Sequence, residues 1–300
     1  MKSAILIANL NSRNSEREFG KAHDLLQAGG VTILESHPVR GGKALARTVR
    51  GAIKSGHEYV IVGGGDGAQT AVVGQFAHKP AVLGVLPFGT GNSFAQSLGI
   101  KPDLNDAVRA LTHGKTATVD LGIVNGTYFA NFSVIGLSSI IARDTSRPLK
   151  RVLGVGAYVV AGVLPLLRAR PFACTVRWQK QKLRLQTQQV IVANGRFFGA
   201  IPILPDATIV DGELAFFATS DRNAWQTLRT FVSVGAARQT SLSNAHYFSA
   251  PEIEIETQPR QPVDVDGSPL SKTPVRFRVA RRALRVMVPQ EFEQDIAAWK

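Results

Sequence analysis

The chain has 300 residues, 44% of them apolar, enough for one large domain or two ordinary ones with packed cores. Thirty-five Lys and Arg against 22 Asp and Glu leave a net charge of +13, a surface that attracts polyanions or an anionic membrane face. The single cysteine, Cys174, excludes an internal disulfide and a cysteine-based metal cluster. Zinc-finger spacing, an RNP-type aromatic signature and long Lys/Arg blocks are all missing, so nucleic acid is not the expected partner.

The N-terminal apolar run Ala4–Ala8 is too short for a signal peptide and reads as a first, doubly buried strand. A turn containing Asn9 and Ser12 follows. Ser15 and Glu18 then form a capping box for a helix with a Phe19, Ala22, Leu25, Leu26 stripe, closed by Gly29–Gly30. Val31–Leu34 is the second strand, and Lys43–Ile53 a helix with Leu45, Val49 and Ile53 on one face.

Tyr59–Ala68 reads YVIVGGGDGA. An apolar, β-branched strand ends in glycines, and Ala68–Phe76 has helical apolar spacing. Glycine permits positive φ and close approach. A glycine turn at a helix start offers free N–H groups and a positive dipole end, which suits phosphate. Asp66 is placed to face a phosphate-bound metal or a substrate hydroxyl. A P-loop is excluded because no Gly-Lys-Ser/Thr follows. A dinucleotide turn lacks its acidic residue about 20 positions on, because the next acid is Asp103. A bare strand–helix turn is the other reading.

A second strand, Ala81–Leu86, runs into PFGTGNSFAQSLGI. The two glycine segments together resemble the lipid kinases of the diacylglycerol kinase and sphingosine kinase superfamily, distant relatives of the NAD kinases. The matching residues are Gly64–Gly67, then Pro87, Gly89, Thr90, Asn92, Phe94 and Ala95. Further matches are VDLG (Val119–Gly122), NFSVIG (Asn131–Gly136), NGRFFGAIPILPDATIVDGEL (Asn194–Leu214) and VDGSPL (Val265–Leu270), so the resemblance spans nearly the whole chain. Asp103 caps the next helix, with Leu104, Val108 and Leu111 apolar and Gly114 at its end.

Strand and helix alternate up to about residue 117, the pattern of a doubly wound parallel α/β domain. After it, Thr118–Val124, Thr127–Val134, Phe172–Trp178, Leu183–Ala193, Leu214–Thr219, Glu252–Glu256 and Val275–Ala280 read as strands of a mostly antiparallel β-sandwich. The expected domains are a nucleotide-binding α/β domain, NAD-kinase-like, at residues 1–122, and a β-sandwich lipid-substrate domain at 123–286. By the resemblance, residues 287–300 pack back on the first domain, with Phe292, Ile296 and Trp299 on one helix face.

The resemblance implies an ATP-dependent kinase that phosphorylates a lipid hydroxyl, diacylglycerol-like or sphingoid-like, with its active site between the domains. Asn9, Ser12, Gly63, Gly64, Gly65, Asp66, Gly67, Ala68, Thr90 and Asn92 would hold ATP. Thr90 and Asn92 also read as helix caps. Asp66 is the first candidate for the catalytic carboxylate and Asp266 the second. Ser268 stands where the family has a Glu that pairs with it. Thr208, Asp211 and Glu213 would hold a structural Mg²⁺, hard oxygen donors suiting that ion. Asp211 and Asp266, each followed by Gly, equally read as turn residues. Departures from the family pattern are Leu10, Arg13, Ala68 in place of Thr, Ser93 and Ser268.

Val152–Leu167 is a run without charge between Lys150, Arg151, Arg168 and Arg170. It reads as a core helix or as a lipid-admitting, membrane-contacting one. Arg276 and Arg278 share a strand face, solvated or membrane-facing. The expected location is cytoplasmic, peripheral to the inner face of an anionic membrane. The oligomeric state is open, a homodimer included. A non-catalytic lipid- or nucleotide-binding relative and an NAD kinase are the alternative functions.

Overall fold

The computed structural model describes residues 2–11, 15–136, 170–198, 201–202, 204, 207–220 and 244–293. Two compact units result: residues 1–131, 194–212 and 279–300, and residues 132–193 with 213–278.

The first unit begins with β1 (Lys2–Asn9), α1 (Ser15–Ala28), β2 (Val31–Val39), α2 (Gly42–Lys54), β3 (Tyr59–Gly64), α3 (Asp66–Phe76) and β4 (Val82–Pro87). Then come α4 (Ser93–Ser97), α5 (Leu104–His113), β5 (Lys115–Val124) and β6 (Thr127–Phe129). Strands β2, β1, β3 and β4 pair in that order, all parallel. Ile5, Leu6, Ile7, Val60, Ile61 and Val62 are all fully buried, as a parallel sheet covered on both faces requires. Helices cover it with the stripes their sequences dictate: Ala22 and Leu26 from α1, Leu45 and Val49 from α2, Val72, Val73 and Phe76 from α3. Asp103 caps α5, its carboxylate accepting from Asn105 N at 2.9 Å and Asp106 N at 3.1 Å.

The second unit contains β7 (Phe132–Gly136), β8 (Phe172–Trp178), β9 (Gln181–Thr187) and β10 (Gln189–Ala193). The chain returns to the first unit for the short antiparallel pair β11 (Phe197–Phe198) and β12 (Ile201–Pro202). It continues in the second with β13 (Leu214–Thr219), β14 (Ala245–Ala250), β15 (Glu252–Gln258), β16 (Pro262–Val265) and β17 (Ser268–Lys272). The last strand, β18 (Val275–Val288), serves both. Val275–Arg278 pairs antiparallel with β15, and Arg285–Val286 pairs parallel with β4.

Among the described residues, one antiparallel sheet of the second unit runs β14, β13, β10, β7, β16, β17. The other joins β9, β8, β15 and the start of β18. Trp178 of β8 stacks on Phe248 of β14 at 3.8 Å between ring centres, and Phe248 on Phe216 at 4.7 Å, so the two layers meet through aromatic rings. This is the α/β plus antiparallel β-sandwich class expected from the sequence.

Two expected strands are each divided. Leu183–Ala193 splits at Gln188 into β9 and β10, which lie in different sheets. The Thr187 hydroxyl donates to Gln189 O at 2.9 Å and accepts from Gln189 N at 3.2 Å, diverting backbone groups from the ladder. Thr127–Val134 splits because Ala130 and Asn131 give their carbonyls to Asn194 instead of to a strand partner. Strand β14 had no clear sequence signal. The uncharged run Val152–Leu167, Ser12, Arg13, Ile296 and Trp299 lie outside the described residues. No helix among the described residues is long and apolar enough to cross a membrane.

Candidate active site

Strands β3 and β4 end side by side, with Gly63 opposite Leu86 and Gly64 opposite Pro87. Both glycine segments therefore leave the sheet at its carboxyl edge, where open α/β sheets hold ligands. Gly65 is the N-cap of α3 in an extended conformation, and none of Gly63, Gly64, Gly65 and Gly67 has a positive φ. Close approach, not backbone freedom, explains these glycines. A Cβ on Gly63 would stand 2.4 Å from the Phe88 ring, and one on Gly64 2.3 Å from Ala68 Cβ. A Cβ on Gly65 would stand 3.1 Å from Gly89 Cα. Gly67 faces open space in the first turn of α3, ahead of Ala68 and Gln69, whose N–H groups donate to Gly65 O at 2.9 and 3.2 Å.

The loop after β4 is closed by its own asparagine. Asn92 Oδ1 accepts from Gly89 N at 3.0 Å, and Asn92 Nδ2 donates to Gly89 O at 2.7 Å. Asn92 sits in the left-handed region, φ 49°, at the N-cap of α4, with no side-chain bond to that helix. It shapes the loop and does not cap the helix. Thr90 is exposed at the tip of this loop. Ala68 is buried in the core cluster. Asn9 is half-buried and its Oδ1 accepts from Gly41 N at 3.0 Å, tying the end of β1 to the start of α2.

Asp66 links the two segments. Its carboxylate accepts from Phe94 N and from Ser93 Oγ, each at 3.3 Å. Burial pushes the carboxyl above the usual carboxylate range, and the bonds from Phe94 and Ser93 offset that only in part. Ser93, a departure from the family pattern, supplies one of them.

The Asp211–Gly212 turn is held by a residue that composition and spacing did not single out as functional. Asp120, 2% exposed, accepts from Gly212 N at 2.7 Å and from Arg282 N at 2.6 Å, and donates its own N–H to Ile209 O at 2.7 Å. Burial raises its carboxyl as well, against the pull of those two N–H groups and of Arg281 and Arg282. Its signal was a lone acid inside the apolar strand segment TVDLGIV. Buried Asn194 donates to the carbonyls of Asp120 and Ala130, each at 3.0 Å.

Beside this turn, Thr208 Oγ1 is buried with no hydrogen-bond partner among the described residues. The Gly212 carbonyl is occupied by the Arg281 guanidinium at 3.3 Å. An unsatisfied hydroxyl at Thr208, with Asp211 and Glu213 three and five residues on in the chain, fits a hard cation by donor type. No group of three His, Cys, Asp or Glu side chains with metal-binding proximity occurs among the described residues.

In the second unit, Asp266 and Gly267 form a two-residue hairpin loop between β16 and β17, φ 45° and 80°. This is the primed turn that Asp-Gly favours. Asp266 is 7% exposed; its Oδ1 accepts from Phe132 N at 2.9 Å, and its N–H donates to Phe132 O at 2.9 Å. Ser268 is exposed. Arg276 and Arg278 do not stand as free cations: Arg276 pairs with Glu252 and Glu254, and Arg278 with Glu252 at 3.8 Å. Cys174 is buried and its thiol pushed up to about 12, so it is no nucleophile.

The diacylglycerol kinase catalytic domain family matches residues 3–124, and the YegS C-terminal NAD kinase beta sandwich-like domain matches residues 133–288. The chain belongs to the diacylglycerol kinase and YegS-like lipid kinase family. A probable lipid kinase YegS-like of Pseudomonas aeruginosa is 32% identical over 252 residues, covering 81% of this chain and 80% of that one. A relative of the same description from Enterobacter sp. is 31% identical and covers 96% of each chain. The crystal structure of a putative diacylglycerol kinase from Bacillus anthracis superposes with a TM-score of 0.80 at 22% identity, over 96% of this chain and 95% of that one, and shares the fold. The lipid kinase family matches thus extend over both glycine segments, the Asp211 turn and the Asp266 hairpin.

Proposed function

We propose that the protein is an ATP-dependent lipid kinase that transfers the γ-phosphoryl group to a hydroxyl of a diacylglycerol-like or sphingoid-like acceptor. The observation that carries this reading is Asp66: one carboxylate, raised by burial, held between the two glycine segments at the carboxyl edge of the sheet. Family membership supports the reaction class.

Gly63–Ala68 and Thr90–Asn92 line the triphosphate, with the open face at Gly67 and the first turn of α3 supplying N–H donors and a positive dipole end. Asn9 borders the same edge from the end of β1. Asp66 takes the proton of the acceptor hydroxyl as its oxygen bonds to the γ-phosphorus; the bond from that phosphorus to the β-bridging oxygen breaks and ADP leaves. A carboxyl pKa above the ordinary value makes Asp66 a better proton acceptor than a solvated aspartate. Mg²⁺ bound with the nucleotide would balance phosphate charge, and Thr208, Asp211 and Glu213 would hold a second, structural ion. Asp266 keeps the hairpin and its bracket to Phe132. The +13 charge brings the protein to the anionic inner face of the membrane, where the acceptor lies.

The test is incubation with γ-labelled ATP, Mg²⁺ and a total lipid extract. Label should enter the organic phase, and Asp66→Asn should stop it. Label on NAD alone would make the protein an NAD kinase. Lipid binding without turnover would make it a non-catalytic relative.

A further inference from the structure

At the opposite end of β3 and β4 from the glycine segments, the first unit has a cleft of about 430 Å³. Its walls are the end of α2, the residues leading into β3 and β4, and the second half of α3. Strand β3 separates it from the Asp66 edge by its own length, ~20 Å for six residues at about 3.3 Å each. Three cations from separate places converge on it: Arg50 and Lys54 from successive turns of α2, and Lys79 from the segment before β4. His57 joins them, and Glu58 is the single carboxylate of the lining. The floor is apolar, with Ile53, Pro80 and buried Ala81.

The cations of this cleft differ from others on the surface. Arg40, Arg109, Arg177 and Arg276 each have a carboxylate partner. Among the described residues no carboxylate pairs with Arg50, Lys54 or Lys79, all of them exposed. Arg50 is instead oriented by Gln75, its Nε donating to Gln75 Oε1 at 2.9 Å across the gap between α2 and α3. Arg285 braces the far rim through the Pro80 carbonyl at 2.5 Å. Lysines at the carboxyl end of a helix answer its dipole, which accounts for Lys54. It does not account for Arg50 a turn earlier or for Lys79 outside any helix.

We infer that this cleft binds the phosphate group of an organic phosphate ester, at a site separate from the nucleotide. Unpaired cations on the rim recognise the dianion or monoanion. The apolar floor accommodates the carbon of the ester, and the volume is ample for a glycerol phosphate unit and excessive for a bare phosphate. The source is an anionic phospholipid headgroup or a soluble phosphate ester; both present the same chemistry.

The experiment uses the full chain and two charge-matched variants. Lys54→Glu/Lys79→Glu reverses the cleft, and Lys182→Glu/Arg184→Glu reverses two exposed cations of β9. Binding is measured to vesicles of phosphatidylglycerol in phosphatidylcholine, and to sn-glycerol 3-phosphate by equilibrium dialysis. The inference expects the cleft variant to lose about 10-fold or more in one of these, with the β9 variant within about 3-fold of wild type. Loss confined to vesicles assigns the lipid headgroup, and loss of glycerol phosphate binding assigns the soluble ester. Equal losses in both variants, or none in either, overturn the site and leave only diffuse surface charge. Circular dichroism melts confirm that the variants fold. Both assays read binding without ATP or turnover, so the outcome is independent of the kinase reading.

Discussion

Gly65 and Gly89, 24 positions apart in the chain, meet backbone to backbone: a Cβ on Gly89 would stand 2.6 Å from Gly65 Cα and 2.8 Å from Asn92 Oδ1. The paired ends of β3 and β4 bring them there. Gly89→Ala should force the two segments apart, at a cost of about 1–3 kcal/mol. It should raise KM for ATP about 10-fold or more and lower the melting temperature. Gly67→Ala, which meets nothing within 4 Å, should leave melting unchanged. Calorimetry and initial rates on both variants check the contrast.

Asp66→Asn keeps the shape and removes the charge. The rate should fall about 100-fold or more. A variant retaining a tenth of wild-type activity would remove Asp66 from the chemistry.

The raised carboxyl of Asp66 carries a pH signature. The native chain holds this proton to higher pH than the unfolded chain does. Between the ordinary carboxylate pKa and the raised native value the native state binds more protons, so stability falls as pH rises through that window. The melting-temperature difference, Asp66→Asn minus wild type, should therefore increase with pH across it and then level. The acid limb of kcat should lie above the ordinary carboxylate range. A flat difference curve would contradict the burial argument.

Asp120→Ala would leave buried Gly212 N and part-buried Arg282 N without their acceptor. The expected loss is about 3 kcal/mol, a fall of roughly 5–10 °C in melting temperature. Because the Asp211 turn hangs on Asp120, the variant should also need more Mg²⁺ to reach full stability. Melts over a Mg²⁺ series read both effects.

Asp266→Asn should preserve the hairpin, since asparagine tolerates φ of 45° and offers an acceptor to Phe132 N. Its kcat should stay within about threefold of wild type, as should that of Ser268→Glu at an exposed position. A 100-fold loss in Asp266→Asn, with melting unchanged, would transfer the base from Asp66 to Asp266.

Much of the fold was legible because its signals are local. The doubly buried strand at Ala4–Ala8, the Leu45 and Val49 stripe and the Asp103 cap depend on neighbours within a turn or two. The Asp-Gly hairpin at Asp266 was legible for the same reason. The break at Gln188 was not, because Leu183–Ala193 contains no glycine or proline to mark it, while one threonine hydroxyl diverts the ladder.

The sequence by itself determined where a phosphate could meet a backbone: two strand ends, two glycine segments, and one carboxylate between Gly65 and Gly67. Glycine and aspartate report their roles through adjacent residues. Only the tertiary structure decided what those residues touch. It used Gly65 and Gly89 for contact rather than for φ, and spent the Asn92 amide on its own loop. It neutralised Arg276 with Glu252 from the neighbouring strand, and buried Asp120 under N–H groups 92 and 162 positions away. Such partners are chosen by strand register and chain return, and no periodicity in the sequence records which distant N–H will arrive at a given carboxylate.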